Sequence, residues 1–273
     1  MAGTVVAPPP PIIEFREVTK TFTSEKRNSR GVLEMVSHTV YDRMALSVRP
    51  GETLTIIGGS GEGKSVCLKM MIGLLDPDDG VVRVKDQDVA KLDRAGLTAI
   101  RRSVAYVFQG GALFDSMDVL DNVGYALREH TELKESQIRD RVAECLELVG
   151  LDLSLMNSMP SRLSGGMKKR VALARSIAMR PEVILYDEPT TGLDPKNIAR
   201  IGDMIVKLQR DLGVTSVVVT HDMPMARKVS DRVAMLYKRG FPFVDTPEAM
   251  WSSSTPEVRD FIHGKIQGAH GVA

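Results

Sequence analysis

The hydrophobic pattern of the chain divides into short strand-like runs and longer stretches with helical spacing. Residues 183–185 and 217–219 are apolar without alternation, which is typical of central parallel strands covered on both faces. Residues 53–57 lead through a glycine-rich stretch into helical spacing over residues 64–75, and this succession opens a parallel α/β unit. Further strands are predicted at residues 12–18, which alternate like an edge strand, and at residues 45–48, 81–84, 104–108 and 232–236.

Two segments depart from this α/β pattern. From about residue 111 to residue 179, apolar positions recur at three- and four-residue spacing, as at Ile138, Val142 and Leu146. We therefore expect a helical subdomain inserted into the core. Residues 23–39 are polar and charged at first and then mildly apolar, which favours a long hairpin insertion.

The two ends of the chain differ in composition from the middle. Residues 1–11 are uncharged and finish in four consecutive prolines, which predicts a disordered tail rather than a signal peptide. We expect one folded unit over residues 12–245 and a C-terminal extension over residues 246–273. Within that extension, residues 257–266 place apolar side chains on one side of a possible helix.

Composition narrows the function classes. With 273 residues and 43 % hydrophobic content, the chain can bury a stable core without disulfide cross-links. This excludes collagen-like, disordered and disulfide-scaffold proteins. The net charge of +1 argues against a polyanion binder that depends on broad electrostatic attraction. Cys67 and Cys145 are too few for a disulfide framework, and buried free thiols in a reducing cytosol are expected. No apolar run approaches the roughly 20 residues of a membrane-spanning helix, so attachment to a membrane would need another chain.

A glycine-rich loop carries the strongest chemical signal. Residues 58–65 are GGSGEGKS, which fits the phosphate-binding pattern G-x-x-x-x-G-K-[ST]. The glycines let successive backbone N–H groups face an anion at the start of a helix, Lys64 adds a charge for the β- and γ-phosphates, and Ser65 offers a hydroxyl to Mg²⁺. The expected ATP-binding residues are Gly58, Gly59, Ser60, Gly61, Glu62, Gly63, Lys64, Ser65 and Val66.

Two acidic residues follow a predicted central strand. Asp187 and Glu188 would lie at its C-terminal end, where α/β sheets bind ligands. We expect Asp187 to hold Mg²⁺ through water and Glu188 to take a proton from the attacking water. Such a pair of acidic residues is more often a helix cap, but the presence of the phosphate-binding loop (P-loop) at residues 58–65 favours the functional interpretation.

A third glycine-rich segment precedes a helix. Ser164, Gly165 and Gly166 expose N–H donors suited to phosphate, although the same residues would also serve as a serine N-cap with a flexible entry. Six motifs then stand in order along residues 12–245: GGSGEGKS, Gln109 after a strand, LSGGM, ILYDEP, GLDP and VVTHD. This ordered set resembles the ATP-binding-cassette (ABC) ATPases.

The resemblance implies an α/β fold, with a P-loop NTPase core (the ABC cassette), an antiparallel β subdomain and an inserted α-helical subdomain. It also implies ATP and Mg²⁺ as cofactors and a second copy of the chain as a partner, with two ATP molecules sandwiched head to tail. Ser164, Gly165 and Gly166 would then complete the site of the partner copy. Met167 departs from the commoner glutamine, and Val66 replaces a frequent second Ser/Thr.

The resemblance further assigns roles by position. Gln109 would contact Mg²⁺ or water and sense a transmembrane partner, Asp194 would link the two sites, and His221 would contact the γ-phosphate. Together with Glu188 and Lys64, Gln109 and His221 make up the expected catalytic set. Phe22 occupies the usual position of the aromatic residue that stacks on adenine. The other histidines are expected to be structural or solvated: His38, His130, His263 and His270.

Residues 108–117 (FQGGALFDSM), 122–123, 127–130 and 256–264 resemble the ATPases of the Mla/MCE lipid transporters. That resemblance implies multi-pass permease subunits, an MCE-domain lipid-binding protein and a possible STAS-domain subunit. The cassette would sit peripherally on the cytoplasmic face of the bacterial inner membrane, and the cargo would be phospholipid. An importer ATPase for a small polar solute would share every catalytic residue. A soluble ABC ATPase acting on ribosomes or DNA ends is disfavoured, because such chains usually carry two cassettes, coiled-coil insertions or zinc motifs. A P-loop kinase is also disfavoured, because the LSGGM segment would then have no function.

Overall fold

The computed structural model describes residues 9–27 and 31–263, which form ten strands and nine α-helices. The strands are β1 Ile13–Arg27, β2 Leu33–Val48, β3 Thr53–Gly58, β4 Asp79–Val84, β5 Gln87–Asp88, β6 Val104–Val107, β7 Val183–Asp187, β8 Thr215–Val219, β9 Arg232–Tyr237 and β10 Gly240–Asp245. The helices are α1 Lys64–Met71, α2 Arg94–Ser103, α3 Val119–His130, α4 Glu135–Leu148, α5 Gly165–Ile177, α6 Pro195–Leu212, α7 Met223–Val229, α8 Pro247–Trp251 and α9 Pro256–Ile262. Short 3-10 turns lie at Val89–Lys91, Leu153–Leu155 and Pro160–Arg162.

Four strands form an antiparallel sheet in the order β2-β1-β4-β5. The expectation that residues 12–18 form an edge strand is wrong, because β1 pairs with β2 on one side and β4 on the other. The alternation instead reflects burial of one face of the strand: Ile13, Phe15 and Val18 are buried, whereas Arg16 is exposed.

The hairpin predicted over residues 23–39 is present. β1 and β2 stay paired from Phe22 opposite His38 to Arg27 opposite Leu33, and residues 28–30 lie outside the described part of the chain. Most of the predicted proline-rich tail, residues 1–8, and the last ten residues of the predicted extension also lie outside it.

The second sheet has six strands in the order β10-β9-β3-β8-β7-β6, with β10 alone antiparallel to its neighbour. The predicted central strands β7 and β8 lie inside it. Their side chains alternate between two core clusters: Ile184 and Tyr186 pack with helices α3 to α6, whereas Val183 and Leu185 pack with α1 and the antiparallel sheet. Because the pleat has a period of two, Asp187 belongs to the α1 side.

The helices follow the predicted plan with local differences. Helices α3 to α5 occupy the segment expected to be helical, and Cys67 and Cys145 are buried free thiols. α1 ends at Met71 rather than near residue 75, because the chain turns at Gly73 with φ +62°. Six further elements were not predicted: α2, α6, α7, α8, β5 and β10. Across the described residues, no helix combines the length and apolarity that crossing a membrane requires.

Candidate nucleotide site

The P-loop joins the end of β3 to the start of α1 by a sharp backbone turn. Gly63 has φ +106°, and a Cβ atom there would lie 2.1 Å from Cγ1 of Val40. The hydroxyl of Tyr41 donates a hydrogen bond to the carbonyl of Gly63. A side chain at position 63 is therefore excluded both by conformation and by space, and strand β2 fixes the loop from outside.

Lys64 is folded back onto its own loop. Its Nζ atom donates to the carbonyls of Gly58 and Gly59, both at 3.0 Å, and lies 3.9 Å from Oε1 of Glu188. The side chain is 8 % exposed, and burial lowers the pKa of its ammonium, an effect that the charge of Glu188 opposes. The sequence-predicted phosphate ligand thus lies in the site, held by acceptors that an incoming phosphate can replace.

Asp187 ends β7 and accepts one hydrogen bond on each carboxylate oxygen. Ser65 donates to Oδ1 at 2.7 Å and Tyr106 donates to Oδ2 at 2.8 Å. Tyr106 was missed by the sequence reasoning. It comes from β6, where it pairs with Leu185, so its side chain shares the α1 side of the sheet with Asp187. The hydroxyl and carboxylate oxygens gathered here are the donor type that Mg²⁺ prefers, usually with one or two carboxylates and substrate phosphates completing the shell.

Glu188 and His221 form a contacting pair that also lines the site. Nδ1 of His221 lies 2.8 Å from Oε2 of Glu188, and the backbone N–H of Glu188 donates to the carbonyl of Val219 at 2.9 Å. Glu188 has φ +47°, a left-handed conformation uncommon for a residue other than glycine. The glutamate is 13 % exposed, whereas the histidine side chain is 68 % exposed. The acid is therefore shielded and fixed, while its imidazole partner faces the open cleft.

Lys64, Ser65, Glu188 and His221 border one open cleft with a volume of about 540 Å³. Its lining residues are Ser60, Gly61, Gly63, Lys64, Ser65, Val66, Gln109, Glu188, Thr191 and His221. Thr191 had not been singled out. Phe22 does not line this cleft: it is 38 % exposed on β1, opposite His38, with Nζ of Lys20 5.5 Å from its ring centre.

Ser164, Gly165 and Gly166 lie elsewhere. Ser164 is exposed and caps α5 by accepting a hydrogen bond from the N–H of Met167 at 3.3 Å. Gly166 is buried, and a Cβ there would lie 2.7 Å from Oδ1 of Asn197. Asn197 in turn donates from its backbone and its side chain to Asp194, the cap of α6. The glycine-rich segment and Asp194 thus form one unit that contributes no lining residue to the cleft of the same chain.

The segment after Gln109 is tied to α5. Lys169, 8 % exposed, donates to the carbonyl of Gln109, and the guanidinium of Arg175 donates to the carbonyls of Gly111 and Ala112, both at 2.8 Å. Burial lowers the pKa of both cations. The sequence gives no local signal for these contacts, because 60 residues separate Lys169 from Gln109.

Residues 41–191 match the family described as ABC transporter. The chain is 38 % identical over 229 residues to the Intermembrane phospholipid transport system ATP-binding protein MlaF of Escherichia coli K12, covering 84 % of this chain and 85 % of that protein. It is 37 % identical over 261 residues to the Probable ribonucleotide transport ATP-binding protein mkl of Mycobacterium leprae, covering 96 % of this chain and 71 % of the relative.

Solved structures agree with this relationship. The dimeric, post-hydrolysis structure of the ATP-binding cassette MJ0796 with ADP and Pi superposes with a TM-score of 0.75 at 33 % identity, over 86 % of this chain and 98 % of that one. The structure of cbiO1 from Clostridium perfringens gives a TM-score of 0.76 at 28 % identity, over 90 % and 92 % of the two chains. The fold, the cleft and these relatives lead to the same conclusion: the chain belongs to the ABC transporter family and is the ATP-binding, ATP-hydrolysing cassette of a membrane transporter.

Proposed function

We propose that this cassette drives phospholipid transport between bacterial envelope membranes and works peripherally at the cytoplasmic face of the inner membrane. The supporting observation is the 38 % identity to MlaF, which extends over 84 % of this chain and 85 % of that relative. The partners would be multi-pass permease subunits, an MCE-domain lipid-binding protein and, where present, a STAS-domain subunit.

The cleft supports the following division of labour on ATP. The P-loop residues Gly58 to Val66 bind the phosphates with backbone N–H groups, and Lys64 exchanges its carbonyl acceptors for the β- and γ-phosphates. Ser65, Asp187 and Gln109 would hold Mg²⁺, which when bound neutralises charge developing on the phosphate oxygens. Phe22 would stack on adenine from the hairpin beside the P-loop.

Glu188 is the proposed general base. Its carboxylate accepts a proton from the water that attacks the γ-phosphate, and the positive φ at this residue aims the side chain into the cleft. His221 keeps the carboxylate oriented through the 2.8 Å contact and is exposed enough to reach the γ-phosphate as well. Gln109 lies on the same cleft, where it can contact the attacking water.

A second copy of the chain would complete each site. Ser164 and Gly165 are exposed and lie outside their own cleft, so their N–H groups can serve the nucleotide bound to a partner. Asp194 would link the two sites. Within each protomer, the Asn197 side chain donates a hydrogen bond to Asp194 and packs against Gly166, which belongs to the segment that would serve the partner's nucleotide.

The surface after Gln109 suits a permease. Asn122 is fully buried and fixes this loop, accepting from the N–H of Phe114 and donating to the carbonyls of Phe114, Met117 and Asp118. The Phe114 ring stays 43 % exposed. A rigid loop with an exposed aromatic side chain is typical of a protein interaction site.

The second candidate is an importer ATPase for a small polar solute. It is favoured by the 37 % identity to relatives named as probable ribonucleotide transport proteins. Purification of the native membrane complex through a tag on this chain distinguishes the two. Lipid extracted with an MCE-domain subunit supports the phospholipid function, whereas a soluble-solute receptor without bound lipid would overturn it.

A further inference from the structure

The hydroxyl of Tyr106 contacts Asp187, although neither the sequence motifs nor the lining of the cleft identifies this residue. It lies on β6 three residues before Gln109, and its ring packs against Phe108 with centroids 4.4 Å apart. The side chain is partly buried, and burial, followed by the hydrogen bond to Asp187, raises its pKa far above the ordinary value. Its hydroxyl donates to Oδ2 of Asp187 at 2.8 Å.

The two hydrogen bonds that Asp187 accepts determine how the hydroxyl of Ser65 is oriented. Ser65 and Tyr106 each donate a hydroxyl hydrogen to the Asp187 carboxylate, Ser65 to Oδ1 and Tyr106 to Oδ2. Once the hydrogen of Ser65 is committed in this way, the lone pairs of its oxygen are free to face a cation. The 2.8 Å bond from Tyr106 holds the other carboxylate oxygen, and therefore prevents rotation of the group that orients Ser65.

We propose that Tyr106 is a positioning residue for the Mg²⁺ site, acting through Asp187 on the hydroxyl of Ser65. This inference rests on the proposed function of that site, and it assigns Tyr106 no contact with ATP. Loss of the tyrosine hydroxyl leaves the P-loop donors in place, so ATP binding without metal is unaffected. The contribution of Mg²⁺ to ATP affinity falls by on the order of tenfold, the lower end of the range for outer-shell partners of metal ligands.

The test is calorimetric binding of ATP to Tyr106→Phe in a Glu188→Gln background, which limits turnover, with Mg²⁺ or with EDTA. Tyr186→Phe is the matched control, because it removes a buried hydroxyl from the residue next to Asp187, on the opposite side of the same sheet. In EDTA, we expect neither tyrosine substitution to change the affinity for ATP. In Mg²⁺, Tyr106→Phe should lower the affinity for ATP about tenfold, whereas Tyr186→Phe should not. When Glu188 is restored, Tyr106→Phe should need a higher Mg²⁺ concentration for hydrolysis.

A double variant separates positioning from general damage. If Tyr106 acts through Ser65, adding Tyr106→Phe to Ser65→Ala lowers the Mg²⁺-dependent affinity no further. Equal weakening with and without Mg²⁺, or full additivity with Ser65→Ala, would overturn the inference. Wild-type Mg²⁺ dependence in Tyr106→Phe would overturn it too while leaving the proposed function intact. Indifference of the parent protein to Mg²⁺ would instead refute the metal assignment on which the inference rests.

Discussion

Nδ1 of His221 lies 2.8 Å from Oε2 of Glu188. The histidine side chain is exposed, whereas the glutamate side chain that it contacts is shielded from solvent. The other oxygen of Glu188 lies 3.9 Å from Nζ of Lys64. The glutamate thus stands between a lysine and a histidine. A carboxylate held from both sides is oriented for proton transfer, and this geometry makes its removal informative.

Glu188→Gln should bind ATP normally and hydrolyse it at least about a hundredfold more slowly, because the amide keeps the shape of the side chain but cannot accept a proton. The predicted consequence is a long-lived ATP-bound dimer, detected by size-exclusion chromatography with ATP. Glu135→Gln is the control, since Glu135 is an exposed carboxylate paired with Arg128 at 2.7 Å on another part of the surface. Wild-type turnover in Glu188→Gln would exclude Glu188 as the base.

Lys64→Ala should weaken ATP binding by about tenfold or more, since charge-assisted hydrogen bonds to phosphate are lost. Removing the ammonium also leaves the carbonyls of Gly58 and Gly59 without their donor in the nucleotide-free protein. Titration of each protein with a fluorescent ATP analogue measures the effect. Lys168→Ala, outside the cleft lining, is the matched control, and unchanged affinity in Lys64→Ala would contradict the phosphate assignment.

The sequence predicted the parts of this site that depend on local pattern. The glycine spacing before Lys64 and the apolar strand before Asp187 each require a particular backbone within a few residues, so the motif alone locates them. Tyr106 and Arg175 were missed because their partners lie far along the chain, at Asp187 and at Gly111, and only sheet register and helix packing bring them together. The edge assignment of β1 failed for a related reason: alternation reports which face is buried and not how many neighbours a strand has.

Arg175→Ala should lower the free energy of unfolding by about 1–3 kcal/mol, because the carbonyls of Gly111 and Ala112 would lose the hydrogen bonds that the guanidinium donates to them. Arg175→Lys should recover only part of this, since an ammonium cannot reproduce the two-pronged geometry. Urea denaturation measures both. Arg180→Ala is the control, as its side chain is 76 % exposed and lies 3.8 Å from Glu144. Equal stability of Arg175→Ala and wild type would refute the anchoring of this loop.

The two thiols should resist alkylation in the folded protein. Burial raises the pKa of Cys145 to about 11 and that of Cys67 further still, so at pH 8 roughly one Cys145 in a thousand is a thiolate. Reaction with iodoacetamide at pH 8 should therefore be slow until urea unfolds the chain, and then label both residues. Mass spectrometry follows the labelling. Rapid modification in the absence of urea would show that the helices carrying these residues open readily.

The arrangement of the glycine-rich segment outside its own cleft predicts complementation between two inactive variants. Lys64→Ala disables the P-loop, and Ser164→Arg places a bulky cation at the exposed start of α5 while leaving the cleft lining unchanged. Each protein alone should hydrolyse ATP poorly. In a mixed dimer, the P-loop of the Ser164→Arg protomer faces the intact segment of the Lys64→Ala protomer, which restores one complete site.

An equimolar mixture should therefore recover about a quarter of wild-type turnover if the two sites are independent, because half of the dimers are mixed and each has one intact site of two. Steady-state phosphate release at micromolar protein measures the recovery, and dilution below the dimerisation range should abolish it. The double variant Lys64→Ala/Ser164→Arg mixed with Ser164→Arg is the control for nonspecific stabilisation, because no dimer in that mixture has a complete site. Absence of recovery, with mixed dimers demonstrated by a second affinity tag, would mean that each chain completes its own site, and the sandwich arrangement would have to be abandoned.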